Sequence, residues 1–155
     1  MKPKLIYISE KRIIGMKSSM YHNEYGNIIK LWKRFMPSKN KIENILNKDF
    51  IALQTYSDFN DFEKPFDIWA CVGVSNLETI PKEMKGFTIP EGEYAVFLHK
   101  GMDTLKAYQQ IMTEWLPNSG FKVDDRPHFQ VMGEKYKNGS PDSEEDFYIP
   151  ITPKN

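Results

Sequence analysis

The chain has 155 residues, the size of one domain, and its 21 basic and 21 acidic side chains leave no formal net charge. That balance argues against a nucleic-acid binder that neutralises phosphates, which needs a basic excess or a basic face. A hydrophobic content of 40% with 14% aromatics excludes wholesale disorder, and a domain of this length folds without disulfides or a metal.

In chain order, the apolar run Leu5-Ile6-Tyr7-Ile8 is too short for a signal-peptide core, and no stretch approaches the ~20 residues of a membrane span. With Cys71 as the sole cysteine, a soluble, cytoplasmic protein in a reducing compartment is expected. Lys4–Ile8 reads as the first strand. A helix follows, because Tyr25, Ile28, Ile29, Trp32, Phe35 and Met36 recur at three- and four-residue spacing. Asn23 is positioned to cap it and Pro37 to stop it. Strands are expected at Phe50–Tyr56 and 66–74, joined through the polar, turn-rich segment 57–65. After a polar connection at 75–85 comes a strand at 94–99. A second helix carries Leu105, Tyr108, Met112, Trp115 and Leu116, with Asp103 as its cap and Pro117 as its stop. Strands at 129–132 and 146–151 flank a loop at 137–145. Stripes of this kind serve either as a surface for a partner or, more usually, as the face that packs on a sheet.

The order strand, helix, strand, strand thus occurs twice. Trp32 and Trp115 each stand shortly before a proline, and the strand ends at Val74 and Ile151 are separated by nearly the same interval. Such repetition points to two half-units sharing one core. The expected fold is α+β, a single domain over 1–155 with repeats at about 4–74 and 86–151. An antiparallel sheet carries both helices on one face and a ligand groove on the other.

Side chains alternate across a strand, so each strand divides between the faces. Ile68, Ala70, Val72 and Val74 belong under the helices with Phe147, Ile149 and Ile151. Asp67, Trp69, Cys71, Asp146, Tyr148 and Pro150 then face the other way. Trp69 and Tyr148, with Asp146 two residues before the latter, resemble the aromatic wall and placed charge of a ligand pocket.

Residues 89–101, IPEGEYAVFLHKG, resemble a characteristic segment of the GyrI-like small-molecule-binding family, and 144–151, EEDFYIPI, resembles its last strand. Residues 66–74, FDIWACVGV, resemble the matching strand of its first repeat. The family comprises effector-binding domains of multidrug-responsive transcription regulators and stand-alone gyrase-inhibitory proteins. The resemblance implies a pseudo-twofold pair of units that binds a small lipophilic, often aromatic or cationic, compound, so as to sense or sequester it. It also offers two alternatives, hydrolysis of cyclopropane-type electrophiles with Asp146 or Glu145 as the catalytic acid, and inhibition of gyrase by protein binding. Where the family often carries glutamate and tyrosine in the penultimate strand, this chain has Gln130 and Met132, which favours neutral or weakly basic ligands. The expected ligand-binding set is therefore Trp69, Tyr148, Asp146, Cys71, Gln130 and Met132.

His22, His99 and His128 show no ligand spacing with Cys71, so no metal is expected. No cofactor is expected, since glycine-rich phosphate loops are absent. No room is evident for a DNA-reading helix-turn-helix, so direct nucleic-acid and membrane contacts are not expected. A separate DNA-binding regulator or gyrase remains the candidate macromolecular partner.

Overall fold

The computed structural model describes residues 2–22, 24–58, 61 and 63–154. The elements are β1 (Lys4–Ile8), β2 (Lys11–Met20), α1 (Gly26–Ser38) with a 3-10 turn at Lys39–Lys41, β3 (Phe50–Tyr56), β4 (Phe66–Gly73), β5 (Lys85–Ile89) and β6 (Gly92–Lys100). They continue with α2 (Thr104–Gln110), a π turn (Ile111–Trp115) and a 3-10 turn (Leu116–Asn118), then β7 (Phe121–Val123), β8 (His128–Met132) and β9 (Glu144–Pro153).

The six expected strands are present. β2, β5 and β7 are additional, so β2 rather than β1 leads into α1. β2 escapes the alternation rule because Gly15 and the polar run Lys17-Ser18-Ser19 interrupt its apolar pattern. Gly15 is needed there: a Cβ at this position would strike the Ala70 carbonyl and Cys71. Pro37, expected to stop α1, lies inside its last turn; lacking an N–H it leaves the Lys33 carbonyl without its ladder bond, and the helix ends one residue later. Asp103 caps α2 as expected, its Oδ1 accepting the Lys106 N–H at 3.1 Å. Asn23, the expected cap of α1, lies outside the described residues, as does part of the segment 57–65.

All strand pairs are antiparallel, in the order β1-β6-β9-β8-β3-β4-β2-β5, with β7 added beside β9. Exchanging β1 with β5, β2 with β6, β3 with β8 and β4 with β9 returns the same order reversed. β1 and β2 stand six places apart in this order, about 29 Å in a flat sheet. Only Ser9 and Glu10 join them, a link of at most about 11 Å between Ile8 and Lys11. Pro90 and Glu91 impose the same constraint between β5 and β6. The sheet is therefore rolled until its edges approach.

The roll gives the sheet two cores. On its outer face, α1 buries Leu31 and Phe35 against Ile14, Met16, Met20, Phe66, Ile68, Ala70 and Val72. Ile111 lies beside Ala95, Phe97, Phe147, Ile149 and Ile151, with Trp115 edge-on to Phe97 at 5.1 Å. The inner face closes on itself around Ile13, Leu53, Trp69, Ile89, Tyr94 and Phe129. Residues from both ends of the strand order meet there, as the short links require. Arg126 ties one end of the roll. Its guanidinium pairs with Asp124 at 2.7 Å, donates to the Glu93 and Ile151 carbonyls, and stacks 4.8 Å from the Tyr94 ring centroid.

Candidate functional site

The alternation within the two middle strands builds the first site. α1 lies over β2 and β4, while the α2 segment packs with the β6 and β9 core, and β3 and β8 run between. Their outward residues Ala52, Gln54, Tyr56, Gln130 and Met132 remain half-buried although they lie at the centre of the sheet. Residues in that position are ordinarily covered; here they stay partly open between the two helices and make the floor of a candidate groove.

The helix stripes supply its walls. Trp32 turns toward β3, its ring edge-on to Phe50 at 6.0 Å. Tyr25, Ile29 and Met36 share that stripe by helical spacing and stay exposed. On the other side Tyr108 reaches β8, where its hydroxyl lies 2.6 Å from His128 Nδ1, and Leu105 on the same stripe is exposed. Each predicted stripe is thus divided. Phe35 holds the core together with Leu31 and Ile111, which neither expected stripe included, whereas Tyr25, Ile29, Met36 and Leu105 stay exposed.

The floor is polar but uncharged. Gln54 and Gln130 exchange amide hydrogen bonds of 2.9 and 3.1 Å, which uses the hydrogen-bonding groups each turns to the other. Burial holds the His128 imidazole neutral, its pKa lowered to about 3. Burial also raises the Tyr56 and Tyr108 phenols, so both keep their protons. The Tyr56 ring stacks on Phe66 at 4.9 Å and meets His128 edge-on at 5.1 Å.

The expected site residues divide between the faces. The β8 register, with Gln130 opposite Phe147 and Ala52, sets Gln130 and Met132 in the groove beneath the helices. Trp69, Cys71, Asp146 and Tyr148 share the inner face, as the alternation indicated. The inner face is not open at Trp69 and Cys71, however, because the roll leaves them 5% and 0% exposed. The Cys71 thiol donates to the Ile51 carbonyl at 3.3 Å, and burial pushes its pKa up, so it is no ready nucleophile. Asp146 and Tyr148 are half-buried, Tyr148 stacking on Phe129 with ring centroids 4.4 Å apart.

Glu145 points to the helix side, 8% exposed, opposite His99 in the β6–β9 register. Burial first, then the charge of Asp146, pushes its pKa up to about 7. Among the described residues the facing His99 Nε2 is buried with no hydrogen-bond partner, and burial lowers that imidazole's pKa. Sequence reasoning passed over the floor residues Gln54 and Tyr56 and the wall residues as a group. The helical stripes held part of the signal, since Tyr25, Ile29, Met36 and Leu105 belong to them and yet stay exposed. Among the described residues no cluster of three or more potential metal ligands occurs, and no helix is long and apolar enough to cross a membrane.

The architecture is a duplicated antiparallel sheet with two helices on its outer face and aromatic side chains between them. The chain belongs to the family of GyrI-like small-molecule-binding domains, whose model matches residues 1–152. The transcriptional regulator BrlR of Pseudomonas aeruginosa is 26% identical over 147 residues, covering 90% of this chain and 51% of BrlR. The chain thus spans about half the length of that relative. The EcmrR protein of an EcmrR–DNA complex superposes with a TM-score of 0.74 at 17% identity, over 99% of this chain and 58% of that one. SAV2435, solved with tetraphenylphosphonium bound, superposes with a TM-score of 0.68 at 18% identity, over 98% and 94% of the two chains. At these identities the two structures share the fold.

Proposed function

We propose that this chain binds lipophilic aromatic small molecules in the groove between α1 and α2, and so senses or sequesters them. The half-buried floor at the centre of the sheet, flanked by two apolar helix stripes, carries this reading. Ring systems can stack against Trp32, Tyr56 and Tyr108, while the Gln54–Gln130 amides offer donors and acceptors without charge. A neutral or weakly basic compound suits this floor best. A cation would draw on Glu145, the buried carboxyl on the same face of β9. Residues 1–155 act as one binding domain with halves at about 4–74 and 86–151. The likeness to BrlR supports an output in transcription, delivered by a DNA-binding part outside the groove.

The test is a fluorescence titration of neutral and cationic aromatic dyes against wild type, Met132→Trp and Gln130→Glu. Filling the floor with Met132→Trp should weaken every dye by about tenfold or more, the scale of one lost anchor contact. Gln130→Glu should shift preference toward the cations. Dye recovered unchanged by chromatography marks a binder, whereas an opened product marks a hydrolase. Affinities indifferent to both substitutions would remove the ligand from this groove.

A further inference from the structure

We propose that the mouth of the rolled sheet holds a second ligand site, selective for aromatic anions, with Lys11 as counter-ion. The inference stands apart from the interhelical groove, which lies on the opposite face. A cavity of about 480 Å³ opens there, a volume that admits a drug-sized molecule. One wall is the stacked pair Phe129 and Tyr148, and another is the β1–β2 link from Ile8 through Ser9 to Arg12.

Lys11 is the residue that gives the cavity its sign. It lies on the same face of β2 as Ile13 and reaches over the Phe129 ring, its Nζ 5.9 Å from the centroid. The side chain is half-buried, and burial works against its charge. Among the described residues it makes no ion pair; Asp49 acts on it only at longer range. The other charges lining the cavity, Arg12 and Glu10, pair with each other at 3.5 Å. The lining therefore keeps one uncompensated cation.

Asp146 and Asp49 act on Tyr148, but neither lines the cavity, and Lys4 works against Asp146. A partly desolvated ammonium beside two stacked rings favours a flat ligand whose carboxylate or sulfonate meets Nζ while its ring covers Phe129 or Tyr148. An aromatic cation would meet Lys11 as a like charge. The ring preference is shared with the outer groove, and the charge preference is not.

Naphthoate and naphthylmethylamine form a matched pair of opposite charge, titrated by calorimetry at neutral pH against wild type, Lys11→Met, Lys11→Gln and Lys11→Arg. Wild type should bind naphthoate on the order of tenfold more tightly than the amine. Lys11→Met and Lys11→Gln should abolish or invert that ratio, and Lys11→Arg should keep it. Met132→Trp, which plugs the outer groove, should leave naphthoate affinity unchanged. Equal affinities in wild type, or naphthoate binding that survives both neutral substitutions but not Met132→Trp, would overturn the proposal. A melting curve for each variant confirms folding, and loss of fold in Lys11→Met leaves Lys11→Gln and Lys11→Arg to decide. Failure of the dyes in the groove with success of naphthoate here would sink the first reading and spare the second.

Discussion

Replacing Glu145 with glutamine should make the protein more stable, and only at higher pH. The carboxyl is 8% exposed, and burial first, then the charge of Asp146, raises its pKa from 4.5 to about 7. Between those values the native state keeps a proton that the unfolded chain has released. The contribution is fully present below about 4.5 and is lost as pH climbs through about 7. The full interval corresponds to at most about 3 kcal/mol, and solvent that still touches the carboxyl leaves about 1–2 kcal/mol. For a chain of this length that is about 3–6 °C in melting temperature. Glutamine preserves the shape and removes the titration. Thermal unfolding followed by circular dichroism should show wild type and Glu145→Gln melting together at pH near 4, with the variant ahead by that margin near pH 8. Titration of His99, whose lowered pKa acts in the opposite sense, is common to both proteins and largely cancels in the difference. A difference that stays flat across pH would mean that Glu145 is solvated and ionised, and that its burial does not govern its proton.

Two further substitutions test the scaffold. Gly15→Ala places a methyl group against the Ala70 carbonyl and Cys71 in the neighbouring strand, so denaturant unfolding should show a loss above about 2 kcal/mol. A change under half that would mean β2 and β4 can separate freely. Arg126→Lys keeps the charge but loses the planar fork that joins Asp124 to the Glu93 and Ile151 carbonyls, and should cost about 1–3 kcal/mol by the same measurement. Wild-type stability in that variant would reduce the cluster to simple charge pairing.

Local patterning was enough to read both helices and six strands. It also sorted Trp69 and Tyr148 onto one face, because alternation within a strand is a property of a few neighbouring residues. What it missed depends on distant partners. β5 is a five-residue edge strand that pairs with β2 across the chain, and β7 is three residues long. Roll cannot be inferred from any one strand. It follows from two-residue links between strands that pair far apart, and it turns Trp69 from a surface aromatic into core. The stripe on α1 was legible, yet only the position of Phe50 under Trp32 shows that its exposed half borders a groove. The Arg126 cluster gave no sequence signal, since its acceptors come from separate strands.

The short links also send each half's first strand away from its own half. β1 completes the sheet beside β6, β5 completes it beside β2, and β3 meets β8 at the centre. Each half therefore holds the other at both edges and in the middle, as two subunits do after exchanging arms. Severing the backbone between Ser75 and Lys85 would leave those three seams intact. The two pieces, made separately, carry complementary edges and a shared interior, so the connection between the halves is a natural position for splitting the protein into a reassembling pair.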